Sequence, residues 1–207
     1  MNLFATCILC LGAFSVNADG APAVPARVLT GTSGQAVASE ALPGDSVYQL
    51  DIPLTSQDAH VSKLSDLRGT PVLIAMFYTS CKYVCPLIVD SMLRVDKGLT
   101  ADERARLRVV LVSFDPEHDT PQALKAVAVE RHLDLPRWSL DRTDAESVRK
   151  LAAVLGVQYR KLDDGEFNHS TIVTLLDRQG RMVAHTNRTN EVDPELLAAT
   201  QRELDKP

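Results

Sequence analysis

Two cysteines four positions apart, Cys81 and Cys85 in FYTSCKYVCP, are the residues of this sequence whose type and spacing most directly suggest chemistry. A thiol pair at this spacing can exchange with another disulfide, bind a soft metal ion such as Cu(I) or Zn(II), or close a static disulfide bridge. The static bridge would add little, because it closes a loop of only a few residues and the chain-entropy gain grows with loop length. Structural zinc takes four protein ligands, and the remaining two cysteines, Cys7 and Cys10, lie far away in an apolar amino-terminal stretch. Copper with two thiolates and one imidazole is the better match. Of the five histidines, His169 in FNHSTIV stands just before a predicted core strand, in a loop able to reach the sheet edge. His60, His118, His132 and His185 fall in polar loops, on helix flanks or on a hairpin. Position alone does not single out His169.

The elements around the pair are readable from periodicity. PVLIAMFY is a continuous apolar run suited to a strand buried on both faces, and Ile88, Val89, Met92, Leu93 and Val95 recur at helical spacing after it. The cysteines therefore sit at a strand-to-helix junction. Cys85, at or just before the helix start, is expected to have its thiolate favoured by the helix dipole, with Cys81 in the first turn or the preceding loop. LRVVLVSF predicts a second buried strand, and Asp119 or Thr120 is expected to cap a helix that starts at Pro121. TDAESVRKLAAVLG predicts a helix with Thr143 and Glu146 as a capping box and Gly156 as terminator. STIVTLL and MVAHT are strands joined by DRQGR, and DPELLAATQREL is a last helix capped by Asp193. Upstream, VYQLDIPL and HVSKLSDLRG read as strands of an initial hairpin or cap. The order gives an α/β domain with a central mixed sheet flanked by helices and an N-terminal hairpin extension, the arrangement of a thioredoxin-like fold.

Length and composition agree with one domain. The chain has 207 residues, 45% hydrophobic and 24% charged, which suits one globular core and excludes disordered or collagen-like classes. A net charge of -5 with no basic run argues against nucleic acid. Residues 3–16, LFATCILCLGAFSV, have the length of a signal-peptide core, with Val16 and Ala18 as small residues before a cut, so residues 1–18 are expected to be removed. The run is shorter than the roughly 20 residues a membrane helix needs. Cleavage would remove Cys7 and Cys10 and leave Cys81 and Cys85 as the only thiols in an exported, oxidising compartment. Residues 19–46 read as a flexible lead-in and 47–207 as the domain.

FYTSCKYVCP, VSFDPEHDTP, RWSL and FNHSTIVTLLDRQGRM, in this order and at these separations, resemble the SCO/SenC family over about residues 47–205. Members of that family are thioredoxin-fold, exported or membrane-associated copper proteins that serve assembly of the CuA centre of cytochrome c oxidase. The resemblance implies that Cys81, Cys85 and His169 bind one copper ion, with Cys81 and Cys85 also available as a redox pair. Asp115 and Pro116 match the family's Asp-Pro turn, implied to shape the site rather than to bind metal. The family commonly reads Cys-Pro-Asp-x-Cys, whereas Lys82 and Tyr83 follow Cys81 here; a missing acid and an added cation both favour thiolate. His118 stands where the family often has Arg and reads as an exposed turn residue. Met92, seven positions after Cys85, reads as core packing.

Three functions follow as expectations: a metallochaperone passing copper to a CuA-type apo-protein, a thiol-disulfide oxidoreductase that reduces the acceptor's cysteines, and a peroxidase. The peroxidase is weakest, because Thr79 lies two positions before Cys81 and position 75 is alanine where peroxiredoxins have proline. Expected partners are the CuA-type acceptor and a thioredoxin-like reductant. The expected setting is the periplasm, close to the membrane surface, with the protein acting as a monomer.

Overall fold

The computed structural model describes residues 41–206 except Lys82, Pro136 and Asn190. The expected signal segment, most of the lead-in and the Lys82 departure therefore lie outside the described residues. The first strands, β1 (Pro53–Ser56) and β2 (Val61–Lys63), form the expected hairpin. Ser56 Oγ accepts the N–H groups of Asp58 and His60, and Ala59 takes a positive φ of 59° to close the turn. Two flanking pieces differ from the extended reading: Val47–Gln49 and Leu64–Leu67 are single 3-10 turns. Ser46 Oγ accepts the Tyr48 N–H and caps the first of these, a local side-chain contact that competes with strand formation.

β3 (Val72–Phe77) is buried at all six positions. It lies parallel to β4 (Arg108–Ser113) and runs antiparallel to β8 (Val173–Leu176), so both of its edges are paired and neither face meets water. β5 (Trp138–Arg142) is parallel to β4 and carries β1 on its other edge, while β9 (Met182–Thr186) closes the far side against β8. The full order is β2-β1-β5-β4-β3-β8-β9. β6 (Tyr159–Lys161) and β7 (Phe167–His169) form a separate two-stranded hairpin.

α1 (Val84–Lys97) follows β3 and buries Ile88, Val89, Met92 and Val95. Met92 is fully enclosed, as the packing reading expects. A short α2 (Ala101–Ala105) carries a Thr100/Glu103 capping box. α3 (Pro121–Glu130) joins β4 to β5, with Thr120 as the cap and Pro121 in the first turn. The handedness rule for parallel crossovers predicts α1 and α3 on the same face of the sheet, and Arg131, just after α3, pairs with Asp90 of α1 and donates to the Pro86 carbonyl. α4 (Ala145–Leu155) ends at Gly156, whose φ of 72° suits glycine. Its cap is Asp144 and not the expected Thr143, because the Asp144 carboxylate reaches the N–H groups of Glu146 and Ser147 while the Thr143 hydroxyl donates to the Pro53 carbonyl. α5 (Pro194–Leu204) is capped by Asp193 as expected. The sequence reading did not anticipate α2, β5 or the β6–β7 hairpin. Among the described residues no helix is long and apolar enough to cross a membrane.

Candidate metal centre

The centre forms where β3 runs into α1. After Phe77 the chain leaves the sheet through Tyr78 and Thr79, and the Thr79 N–H and hydroxyl both donate to the Asp119 carboxylate. Asp119 is 1% exposed and also accepts the Ser113 hydroxyl at the end of β4. It is thus a strut beneath the cysteine loop and not the α3 cap, a role Thr120 takes. Burial raises the Asp119 pKa, opposed by the three donors around the carboxylate.

Cys81 is half-buried in the loop, and Cys85 is buried at the second position of α1. The Cys81 Sγ accepts the Cys85 N–H at 3.2 Å. It occupies the place of an N-cap acceptor, aimed at by the free N–H groups of the first turn. This reverses the expected reactivity order. Hydrogen bonding from the Cys85 thiol pulls the Cys81 pKa well down, helped by His169 and by the Cys85 and Tyr83 N–H groups, against an upward push from burial. Donation to Cys81, together with burial, pushes Cys85 well up. The helix N-terminus favours the thiolate it points at, and its N–H groups point back at Cys81.

His169 arrives from the other arm. It ends β7 opposite Tyr159, and its Nε2 lies 3.6 Å from the Cys85 Sγ. Its Nδ1 is 3.1 Å from the Ser170 carbonyl, which can only accept, so Nδ1–H donates there and Nε2 is the ring atom that faces the sulfurs. The ligand atoms of Cys81, Cys85 and His169 all lie within 4.8 Å of one another. The imidazole is set among rings, 4.9 Å from Phe114 and 5.8 Å from Tyr78 between centroids. Two soft sulfurs and one imidazole nitrogen, the imidazole packed against aromatic rings, suit a soft monovalent ion in three-fold coordination. A cleft of about 450 Å³ also opens on the thiols, lined in part by Phe77, Pro86, Val89 and Val127.

The other candidates fall elsewhere. Asp115 is buried and bound by the His118 imidazole at 2.9 Å, with Glu117 close by, in the turn after β4. Glu117 pairs with Lys161, and the Pro116 carbonyl accepts from Arg142, so this turn is stitched to its neighbours. His60, His132 and His185 do not join the sulfur cluster. Tyr83 is 83% exposed beside it. Sequence reasoning missed Asp119, Tyr78, Glu166 and the Phe114 and Phe167 rings. The Asp164-Gly165 pair flanked by YRK and FNH is a hairpin signal that would have placed His169 on a strand.

The mixed sheet, flanking helices and a dithiol–imidazole cluster at the start of the helix after the central strand define a thioredoxin-like protein with a metal-competent thiol site. The SCO1/SenC family model matches residues 40–205, and the chain belongs to that family. A SCO2-like protein of Rickettsia typhi is 24% identical over 135 residues, covering 64% of this chain and 66% of that protein. A SCO1 homologue of Bacillus subtilis is 32% identical over 83 residues, 40% of this chain and 42% of the relative. The matched part is therefore less than two thirds of either relative's length. The structure of Bradyrhizobium japonicum ScoI with copper bound superposes with a TM-score of 0.62 at 26% identity, covering 73% of this chain and 96% of that one.

Proposed function

We propose that this protein binds one copper ion through Cys81, Cys85 and His169 and passes it to a CuA-type acceptor during assembly of cytochrome c oxidase or a related copper enzyme. The observation that carries the reading is the convergence of two sulfurs and an imidazole nitrogen within 4.8 Å from elements far apart in sequence. Family membership and the copper-bound ScoI relative support it. As cargo, copper would be held by the two thiolates and the neutral Nε2, and released by stepwise exchange onto the acceptor's own ligands. Both thiols must be reduced for this, so a thioredoxin-like reductant accompanies the protein in an exported setting near the membrane. Titration of the reduced protein with Cu(I) against a competing chelator should give one ion per chain, and His169→Ala should weaken binding at least about tenfold, the lower end of losses seen even for outer-shell residues. Sub-stoichiometric binding, or equal affinity in the variant, rejects the reading.

The asymmetry of the thiols favours a second activity at the same site. The Cys81 thiolate would attack a disulfide of the acceptor, forming a Cys81 mixed disulfide and releasing one acceptor thiolate. The Cys85 sulfur, after losing its proton, would then attack Cys81, forming the Cys81–Cys85 disulfide and releasing the second acceptor thiolate. Two electrons move to the acceptor and the reductant later restores the pair. Cys85→Ser should trap the mixed disulfide and Cys81→Ser should not; absence of any trapped species with an oxidised acceptor counts against this activity.

A further inference from the structure

The β6–β7 hairpin shares no ladder with the seven-stranded sheet, so His169 is not placed by the main sheet's backbone register. Side chains join it to the core: Phe114 packs its ring against Tyr159, Phe167 and His169, and Tyr78 adds hydrogen bonds. The Tyr78 hydroxyl donates to Glu166 Oε2 at 2.7 Å and accepts the Phe167 N–H at 3.3 Å, so it grips the start of β7 on two sides. Its ring meets Phe167 at 5.1 Å and stands edge-on to His169. The next residue, Thr79, is clamped by Asp119, and Cys81 follows two positions later. One dipeptide therefore bonds to the histidine arm through its first side chain and to the anchor of the cysteine arm through its second.

We propose that Tyr78 is a positioning residue whose hydroxyl latches the β6–β7 hairpin so that His169 Nε2 stays facing the sulfur pair. This rests on the reading of Cys81, Cys85 and His169 as copper ligands. Without the hydroxyl, the Phe167 N–H loses its acceptor and Glu166 its donor, and the hairpin keeps its aromatic contacts with the core and the Lys161 to Glu117 ion pair. The thiols keep their own anchors, Asp119 and the first turn of α1. The Tyr78 hydroxyl also interacts with the Cys81 sulfur, less strongly than with Glu166 and Phe167, so its loss should act chiefly on the imidazole ligand and leave the dithiolate, held by Asp119 and the helix start, in place.

The test uses Tyr78→Phe, which retains the ring, with Glu166→Ala and Glu166→Gln beside it; Gln keeps an acceptor for the hydroxyl and should behave closer to native. In the metal-free reduced protein, hydrogen exchange of the Phe167 amide should quicken about three- to tenfold in Tyr78→Phe, the range expected from one net hydrogen bond, and less in Glu166→Ala, where the hydroxyl still accepts that amide. With Cu(I), Tyr78→Phe should still bind one ion, with a dissociation constant raised about tenfold. Adding His169→Ala to it should cost little beyond His169→Ala alone. The ¹⁵N resonance of His169 Nε2 should shift less on Cu(I) addition than in the native protein, a readout that a purely structural role would leave unmoved. Unchanged exchange at Phe167, or unchanged copper affinity where His169→Ala weakens it, overturns the proposal. Equal copper affinity of native protein and His169→Ala instead overturns the copper reading, and the metal-free exchange then still decides whether Tyr78 holds the hairpin.

Discussion

Replacing Asp141 with asparagine should change the pH dependence of stability in a direction opposite to that of most surface carboxylates. Asp141 lies on β5, 3% exposed, paired through its backbone with Ser56 and Val112, and accepts the Ser139 hydroxyl at 2.7 Å. Burial pushes its pKa up from 3.8 to about 6, while the Ser139 hydroxyl and His60 pull the other way. A folded-state value above the unfolded one means the native state binds the proton more tightly. The stabilising contribution is thus complete below pH 3.8 and is lost as pH rises through about 6. At 1.36 kcal/mol per unit, the shift corresponds to about 3 kcal/mol between acid and neutral limits, most of it falling between about pH 4 and 6.5. Asparagine retains an oxygen for Ser139 and has no charge to bury. Urea unfolding of native and Asp141→Asn protein from pH 4 to 7 should show the difference moving by about 2–3 kcal/mol in favour of the variant as pH rises, a midpoint shift of roughly 1 M for an ordinary slope. A difference that stays flat with pH, or moves in favour of the native protein, refutes the assignment of a buried, reluctantly ionised Asp141.

Three further outcomes are expected. In the metal-free reduced protein at pH 6, iodoacetamide should modify Cys81 before Cys85, and the Cys81 rate should vary little from pH 5 to 8; peptide mass spectrometry giving equal labelling or Cys85 first contradicts the charge assignment. Asp119→Ala should cost about 2–4 kcal/mol, because the Thr79 N–H and two hydroxyls lose a buried acceptor, and should weaken copper binding about tenfold in chelator competition; native-like affinity in the variant removes the strut from the site. Asp144→Ala should lower stability by about 1 kcal/mol with no effect on copper, whereas Thr143→Ala should leave the α4 cap intact, since Asp144 carries it.

The parts of the fold that were legible in the sequence are those whose signal is local. β3 and β4 are apolar runs, α1 and α4 repeat at helical spacing, and α5 opens with Asp-Pro; each was placed close to its observed bounds. β5 was harder, since Trp-Ser-Leu-Asp-Arg mixes buried apolar positions with a buried acid that reads as a loop residue. The β6–β7 hairpin was masked by charged side chains in strands of three residues whose outward faces are solvated. Thr143 and Asp144 illustrate a finer limit: both residue types cap helices, and the choice depends on which oxygen finds a competing partner, here the Pro53 carbonyl 90 positions away.

The sequence by itself determined that a dithiol pair stands at a strand-to-helix junction, because residue identity, spacing and periodicity are properties of the chain in one dimension. Tertiary structure alone decided how the two thiols differ and what joins them. Which sulfur receives the free N–H groups of the helix depends on the path of the loop, and that path is held by Asp119, 40 positions from Thr79. His169 reaches Cys85 across 84 positions because a hairpin outside the main sheet packs on Phe114 and bonds to Tyr78. Contacts over such separations follow from chain packing and hydrogen-bond partners, which no local pattern encodes.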